Sequence, residues 1–389
     1  MPLARRLGRP LSLSVRQPSV MDIALFEAQI RKTGFVLEDR LAQELRAAHW
    51  TVISSKYYVD DAEETVREID LVAYQAAQLK DLDIYTVLII SCKKSEANAW
   101  SLLARQIDLR DPNSDWWPLH AWSNVKALRF QLQEPGATRR YHEQMIGQGV
   151  VDALATPAVD VFAFQEMTLT TGAPQDDRKI FAAVTSLMKA QAYELGALPQ
   201  RKKRASVYQF NLLSVVDAEL VRLMFTGGTI AAAAVDSEHY IARYIVHKQE
   251  TFSRIRFIRA DAFTQALPDY GRLHQANTRW FVSERDSFFL DVVTSPAKLR
   301  VFLEEFRREV GWHIRWSLER HGLTKIEPSD VSLYWNAESA RLEIQAPIGD
   351  EGAALLNEDN LSRKHSASAL KRIYRYEGAF IFKDDEIPF

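Results

Sequence analysis

The stretch "EIDLVAYQAAQLKDLDIYTVLIISCKK" (residues 68–94) holds two apolar runs, EIDLVAY (68–74) and YTVLIISC (85–92), joined by a short polar link. Both runs are rich in β-branched and aromatic residues, which predicts two neighbouring strands. The second ends in Lys93 and Lys94. A lysine at the end of a core strand is costly unless its charge is used. Side chains alternate faces along a strand. Glu68, Asp70 and Val72 therefore share one face of the first run. Ser91 and Lys93 share one face of the second, and Cys92 and Lys94 take the other. If the two strands pair, Asp70 and Lys93 stand near each other at one end of the sheet.

Upstream, "TGFVLEDRLAQELRAAHW" (33–50) repeats Leu37, Leu41 and Leu45 at helical spacing, and "TVISSKYYV" (51–59) reads as a third strand. Glu38 lies three, four and seven residues before Leu41, Ala42 and Leu45, so it sits on or at the edge of the stripe that should face the sheet. A carboxylate there is expensive unless paired or bound to a cation. An aspartate beside a lysine at a strand end suits metal-assisted phosphodiester hydrolysis. The carboxylate holds Mg²⁺ through oxygen, the metal activates water, and the lysine orients that water and balances developing charge. The simpler alternative is an Asp70–Lys93 ion pair that caps a hairpin.

In this order, helix Glu, strand Asp, strand x-Lys, the segment resembles the PD-(D/E)xK nuclease superfamily, the restriction-endonuclease-like fold. The resemblance covers residues 30–130 by motif. It implies an α/β fold, a mixed sheet flanked by helices over residues 22–270, built around Mg²⁺ or Mn²⁺. It also implies DNA as substrate and a prokaryotic defence or DNA-processing setting. Carried over residue by residue, it implies Asp70 as principal metal ligand, with Glu38 and Glu68 as supporting ligands. It further implies the main-chain carbonyl of Cys92 as a ligand, and Lys93 as the group orienting the water. The departure is Ser91, where the family has Glu or Asp. Serine is neutral and a weak ligand, so the site loses one formal negative charge. Some members with Ser-x-Lys bring the acid from elsewhere in the fold, and here Glu68 and then Glu96 are the candidates. Otherwise the site is weakened, and the domain binds nucleic acid or a protein partner without cutting.

Downstream the pattern predicts a strand at 159–167 and a helix at 176–196 stopped by Gly196. A loop at 198–206 and strands at 205–216, 218–225, 239–247 and 252–260 follow, with "TGGT" (226–229) as a turn. A strand pair at 279–294, a long helix at 295–322 opened by Ser295 and Pro296, and a hairpin at 331–347 predict a separate α+β region over 275–389. That region is left to substrate selection, dimerisation or docking of a protein partner. Residues 1–21 carry Arg5, Arg6, Arg9 and Arg16 without an acid or a long apolar segment, and read as a disordered basic arm.

The net charge of −2 means that any nucleic-acid surface must come from local clustering of cations. The candidates are Lys94 and Lys56, which read first as solvated strand-edge lysines, and the run Arg201, Lys202, Lys203, Arg204, which could equally be a solvated loop. The single cysteine, Cys92, excludes an internal disulfide framework and fits a reducing cytoplasm. No apolar run approaches the roughly 20 residues of a spanning helix, so no membrane partner is expected. Trp100, Trp116, Trp117 and Trp122 read as core or interface anchors. No zinc-protease, phosphate-loop or serine-hydrolase motif is present, so those chemistries have no support.

Overall fold

The computed structural model describes residues 23–60, 64–323 and 325–385. The basic arm expected over residues 1–21 lies outside the described residues. The chain is mixed α/β. Helices α1 (Ile23–Ile30) and α2 (Phe35–Ala47) lead into a meander of β1 (Thr51–Asp60), β2 (Thr65–Gln78) and β3 (Asp83–Lys94). Then come β4 (Asn98–Arg105), β5 (Ala121–Ser123), α3 (Lys126–Gln133), α4 (Ala137–Gly147), β6 (Asp160–Thr168) and α5 (Arg178–Arg201). The next block is β7 (Ser206–Asp217), β8 (Leu220–Thr226), β9 (Thr229–Ala234), β10 (Ser237–Val246), β11 (Gln249–Arg259) and α6 (Phe263–Leu290). Last are α7 (Pro296–Arg320), β12 (Ser332–Asn336), β13 (Arg341–Ala346), α8 (Gly349–Glu358), α9 (Asn360–Tyr374) and β14 (Phe380–Asp384).

The main sheet runs β1-β2-β3-β7-β11-β10, with β5 also paired to β7. The β1–β2–β3 meander is antiparallel, and β3–β7 and β7–β11 are parallel. Parallel neighbours need a long crossover, and the chain between β3 and β7 contains α5. The central strand β7 is buried at every position except Asp217, as a strand covered on both faces should be. One face packs Leu71, Ile90, Cys92 and Leu213 against Leu37, Leu41 and Leu45 of α2 and the first half of α6. The other packs Val72, Ile89 and Leu212 against Ile180, Val184 and Leu187 of α5. A second sheet, β6-β4-β8-β9, adds Trp100 and Leu102 to that second core. A third, β12-β13-β14, packs with α7, α8 and α9 around its own core.

Three expectations are corrected. The strand pair at 279–294 is instead the second half of α6. Its buried residues Tyr270, Leu273, Asn277, Trp280, Phe281 and Phe288 recur at helical spacing, and the Phe and Val content that suggests strand is overridden by that packing. As a result α6 crosses the expected boundary at 270–275. Phe281 belongs to the main-sheet core and Phe288 to the C-terminal core. The helix expected to stop at Gly196 continues as α5 to Arg201, with Pro199 in its last turn. An exposed helical glycine costs about 1 kcal/mol, and burying Leu198 at 4% exposure offsets it. Strand β4 was not anticipated, although Trp100 on it, 1% exposed, is the core anchor expected.

Candidate active site

The β2–β3 ladder ends at Leu71↔Ile90. Beyond it β2 continues only with β1, down to Asp60↔Thr65, and β3 continues only with β7, up to Lys94↔Asp217. The two strands part at this point and open a fork. Asp70 and Ser91 are the first residues past it. Backbone groups at a fork lose their ladder partners and must find others. One carboxylate oxygen of Asp70 fills that role, accepting from the Cys92 N–H at 2.6 Å, from Ser91 Oγ at 3.3 Å and from Lys93 Nζ at 3.1 Å. The expected neighbours thus meet, and the ion pair of the simpler alternative is formed as well.

The fork is lined by Glu68, Asp70, Ser91 and Lys93, with Ser186 and Leu187 of α5 behind them, around a cavity of about 40 Å³. Ser186 was not anticipated, because nothing in its local sequence marks it and only the crossover of α5 brings it there. Glu38 stands in the first turn of α2, half-buried, on the helix that covers the other face of the sheet. Its carboxyl is pushed above the ordinary range by burial first, then by the negative charges of Asp70 and Glu68, while Lys93 pulls the other way. Glu38 is therefore electrostatically part of the same group. Among the described residues neither Glu38 nor Glu68 accepts a side-chain hydrogen bond or forms an ion pair. Asp70 and Glu68 line the opening with Lys93 and Glu38 is coupled to them by charge, a donor set of hard oxygens that suits Mg²⁺ or Mn²⁺ in kind. Among the described residues no three His, Cys, Asp or Glu side chains are close enough to hold a metal ion as they stand. Holding one would require Glu38 and Glu68 to turn toward Asp70.

The remaining candidates are placed elsewhere. Glu96 is exposed and pairs with Lys94 at 2.8 Å, and that contact holds its carboxyl below the ordinary range. Lys94 also donates to the Arg31 carbonyl at 2.9 Å. Burial raises the Cys92 thiol well above its usual value, with Asp70 and Glu38 adding to it, so the thiol is an inert core group. Lys56 pairs with Glu194 at 2.6 Å and Arg201 with the same carboxylate at 3.3 Å. Lys202 lies over the stacked rings of Tyr85 and Tyr208, and Arg204 pairs with Asp83 at 3.2 Å. Lys203 is exposed. The Arg201–Arg204 run enters β7 beside Asp83, the opposite end of β3 from Lys93, roughly 33 Å away at 3.3 Å per residue. No protein-family model, no curated protein and no solved structure matches the chain.

Proposed function

We propose that the strand fork is the active site of a divalent-metal-dependent phosphodiesterase acting on DNA, a nuclease of restriction-endonuclease-like architecture. The observation that carries this reading is the meeting of Asp70, Lys93, Ser91 and Glu68 on one opening between β2 and β3, with the Glu38 charge coupled to them. Asp70, Glu68 and Glu38, with the Cys92 main-chain carbonyl, would hold Mg²⁺ or Mn²⁺. The bound ion supplies an activated water and stabilises the leaving oxygen. Lys93 then moves from Asp70 to the attacking water or a non-bridging phosphate oxygen, where its charge offsets the developing negative charge. Ser91 keeps its hydroxyl on Asp70 and holds the carboxylate in place. The Cys92 N–H fixes the same oxygen from the main chain.

A second reading rests on a specific observation. Ser91 is neutral where an acid would serve, and the Asp70 oxygen already takes three donors. A fork of this kind can bind nucleic acid or a protein partner without cutting. Incubation of duplex and single-stranded DNA with the purified chain in Mg²⁺ or Mn²⁺ separates the two. Cutting that is lost in Asp70→Ala and Lys93→Ala supports the nuclease. Retention of DNA without cutting, weakened by salt, supports the binding reading. The absence of both overturns each of them.

A further inference from the structure

Tyr74, Tyr85 and Tyr208 stand on three adjacent strands, β2, β3 and β7. In the ladders Tyr85 lies opposite Tyr208, and Val87 lies opposite Tyr74. The rings form a row: Tyr85 stacks on Tyr208 at 4.2 Å, and Tyr74 tilts against Tyr85 at 5.9 Å. Helix α5 ends beside this row at Arg201. Between helix and sheet lies a cavity of about 260 Å³, with Val72, Val87 and Leu198 as its apolar lining. Tyr74 and Tyr85 are half-buried, so they are the rings a ligand can reach. Residues two apart on a strand share a face, so Asp70 and Tyr74 point the same way, as do Ser91 and Val87. The slot therefore lies on the fork's face of the sheet. Tyr74 and Val87 are four residues from Asp70 and Ser91, roughly 13 Å at 3.3 Å per residue. Glu194 of the slot is one turn of α5 beyond Ala190 of the fork.

The wall carries Lys56, Arg201 and Lys202 against one carboxylate, Glu194, an excess of two positive charges. Glu194 takes Lys56 at 2.6 Å and Arg201 at 3.3 Å. Asp83, beyond Tyr85 on β3, is taken by Arg204. Lys202 has no such partner. Its ammonium lies 5.0 Å and 5.3 Å from the ring centres of Tyr85 and Tyr208, and among the described residues it forms no ion pair or side-chain hydrogen bond. Both surplus cations are within reach of a ligand, since the Arg201 side chain is 41% exposed and Lys202 is only half-buried. A ring-lined apolar slot with surplus cations on its wall fits a planar aromatic group that carries negative charge. A base stacks on aromatic side chains whatever its identity, and a phosphate takes the cations.

We propose that this slot binds one nucleotide, its base against Tyr74 and Tyr85 and its phosphate at Lys202 and Arg201. The choice of a nucleotide over other aromatic anions rests on the reading of the fork as a nuclease. The same contacts serve a free nucleotide and an unpaired residue of a strand that reaches the fork.

The test is calorimetric titration of the full chain without divalent metal, which removes cutting and metal-bridged binding at the fork. Deoxyadenosine monophosphate should bind saturably, and Tyr74→Leu and Lys202→Gln should each weaken it about tenfold. Deoxyribose phosphate, which lacks the base, should not bind measurably. A short single-stranded oligodeoxyadenylate that binds far more tightly than the monomer, and more weakly to Lys202→Gln, assigns the slot to nucleic acid. Equal affinity for the two assigns it to the free nucleotide. The slot is overturned if the wild type binds neither, if Lys202→Gln binds both as the wild type does, or if deoxyribose phosphate binds as well as the nucleotide. Lys202→Gln changes a half-buried residue at a helix end and decides alone should Tyr74→Leu not fold. Cutting is read separately: nucleotide binding without cutting keeps the slot and removes the nuclease, and cutting without nucleotide binding does the reverse.

Discussion

Asp70 gathers three donors on a single oxygen, and each fixes a different part of the fork: the main chain of β3, the Ser91 hydroxyl and the Lys93 ammonium. Asp70→Ala should therefore abolish metal-dependent cleavage, a loss of at least about 10²-fold for removal of a principal ligand, read in the same DNA assay. Ser91→Glu restores the charge that Ser91 lacks. It is expected to tighten Mn²⁺ binding in calorimetry, and unchanged affinity would mean that the missing acid is not limiting. Glu38 gives a prediction with a definite sign. Its folded pKa lies above the ordinary carboxyl value of about 4.3. The unfolded chain therefore releases its proton first, and stability falls as pH rises from that value through the raised one, then stays level. Glu38→Gln should raise the melting temperature of the metal-free chain at neutral pH while weakening metal binding. A variant less stable than wild type would show that Glu38 serves the fold.

The pairing of Asp70 with Lys93 was legible because β2 and β3 are consecutive and antiparallel, so alternation and a short link fix which ends meet. The ladder's end was not legible, since the fork depends on β1 and β7 drawing the two strands apart. The Arg201–Arg204 run looked like a partner for the site by charge alone. Its distance from Lys93 follows from the parallel β3–β7 pairing, which brings the chain into β7 at the wrong end. In α6 the aromatic run Phe288–Phe289 suggested strand, while the helical spacing that begins at Phe263 decides the element. Ser283→Pro discriminates between them. In a helix interior it should cost about 3 kcal/mol or more in urea unfolding. A turn between strands would tolerate it.

Across the whole molecule, α6 ties the C-terminal core to the main sheet, since its two halves belong to different cores. Calorimetry should accordingly give one unfolding transition, and two separate transitions would contradict this coupling. Within the C-terminal unit, Gly311 of α7 lies against Pro328, where an added Cβ would come within 2.6 Å of the proline side chain and 2.7 Å of its main chain. Gly311→Ala should destabilise by roughly 1–3 kcal/mol, measured by urea denaturation. Two buried histidines, His142 and His239, both have pKa values lowered to about 3, chiefly by burial and then by Arg254. They take up protons only on unfolding. Their contribution is complete above about pH 6.5 and declines as pH falls toward 3, by up to about 1.4 kcal/mol per pH unit each. No helix among the described residues is long and apolar enough to cross a membrane. The central claim concerns the fork, and Mn²⁺ reports on it most directly through anomalous scattering from soaked crystals. The expected result is a peak between the Asp70 carboxylate and the Cys92 carbonyl, with Lys93 moved off Asp70. Saturating Mn²⁺ with no peak, and Lys93 still bound to Asp70, would contradict it.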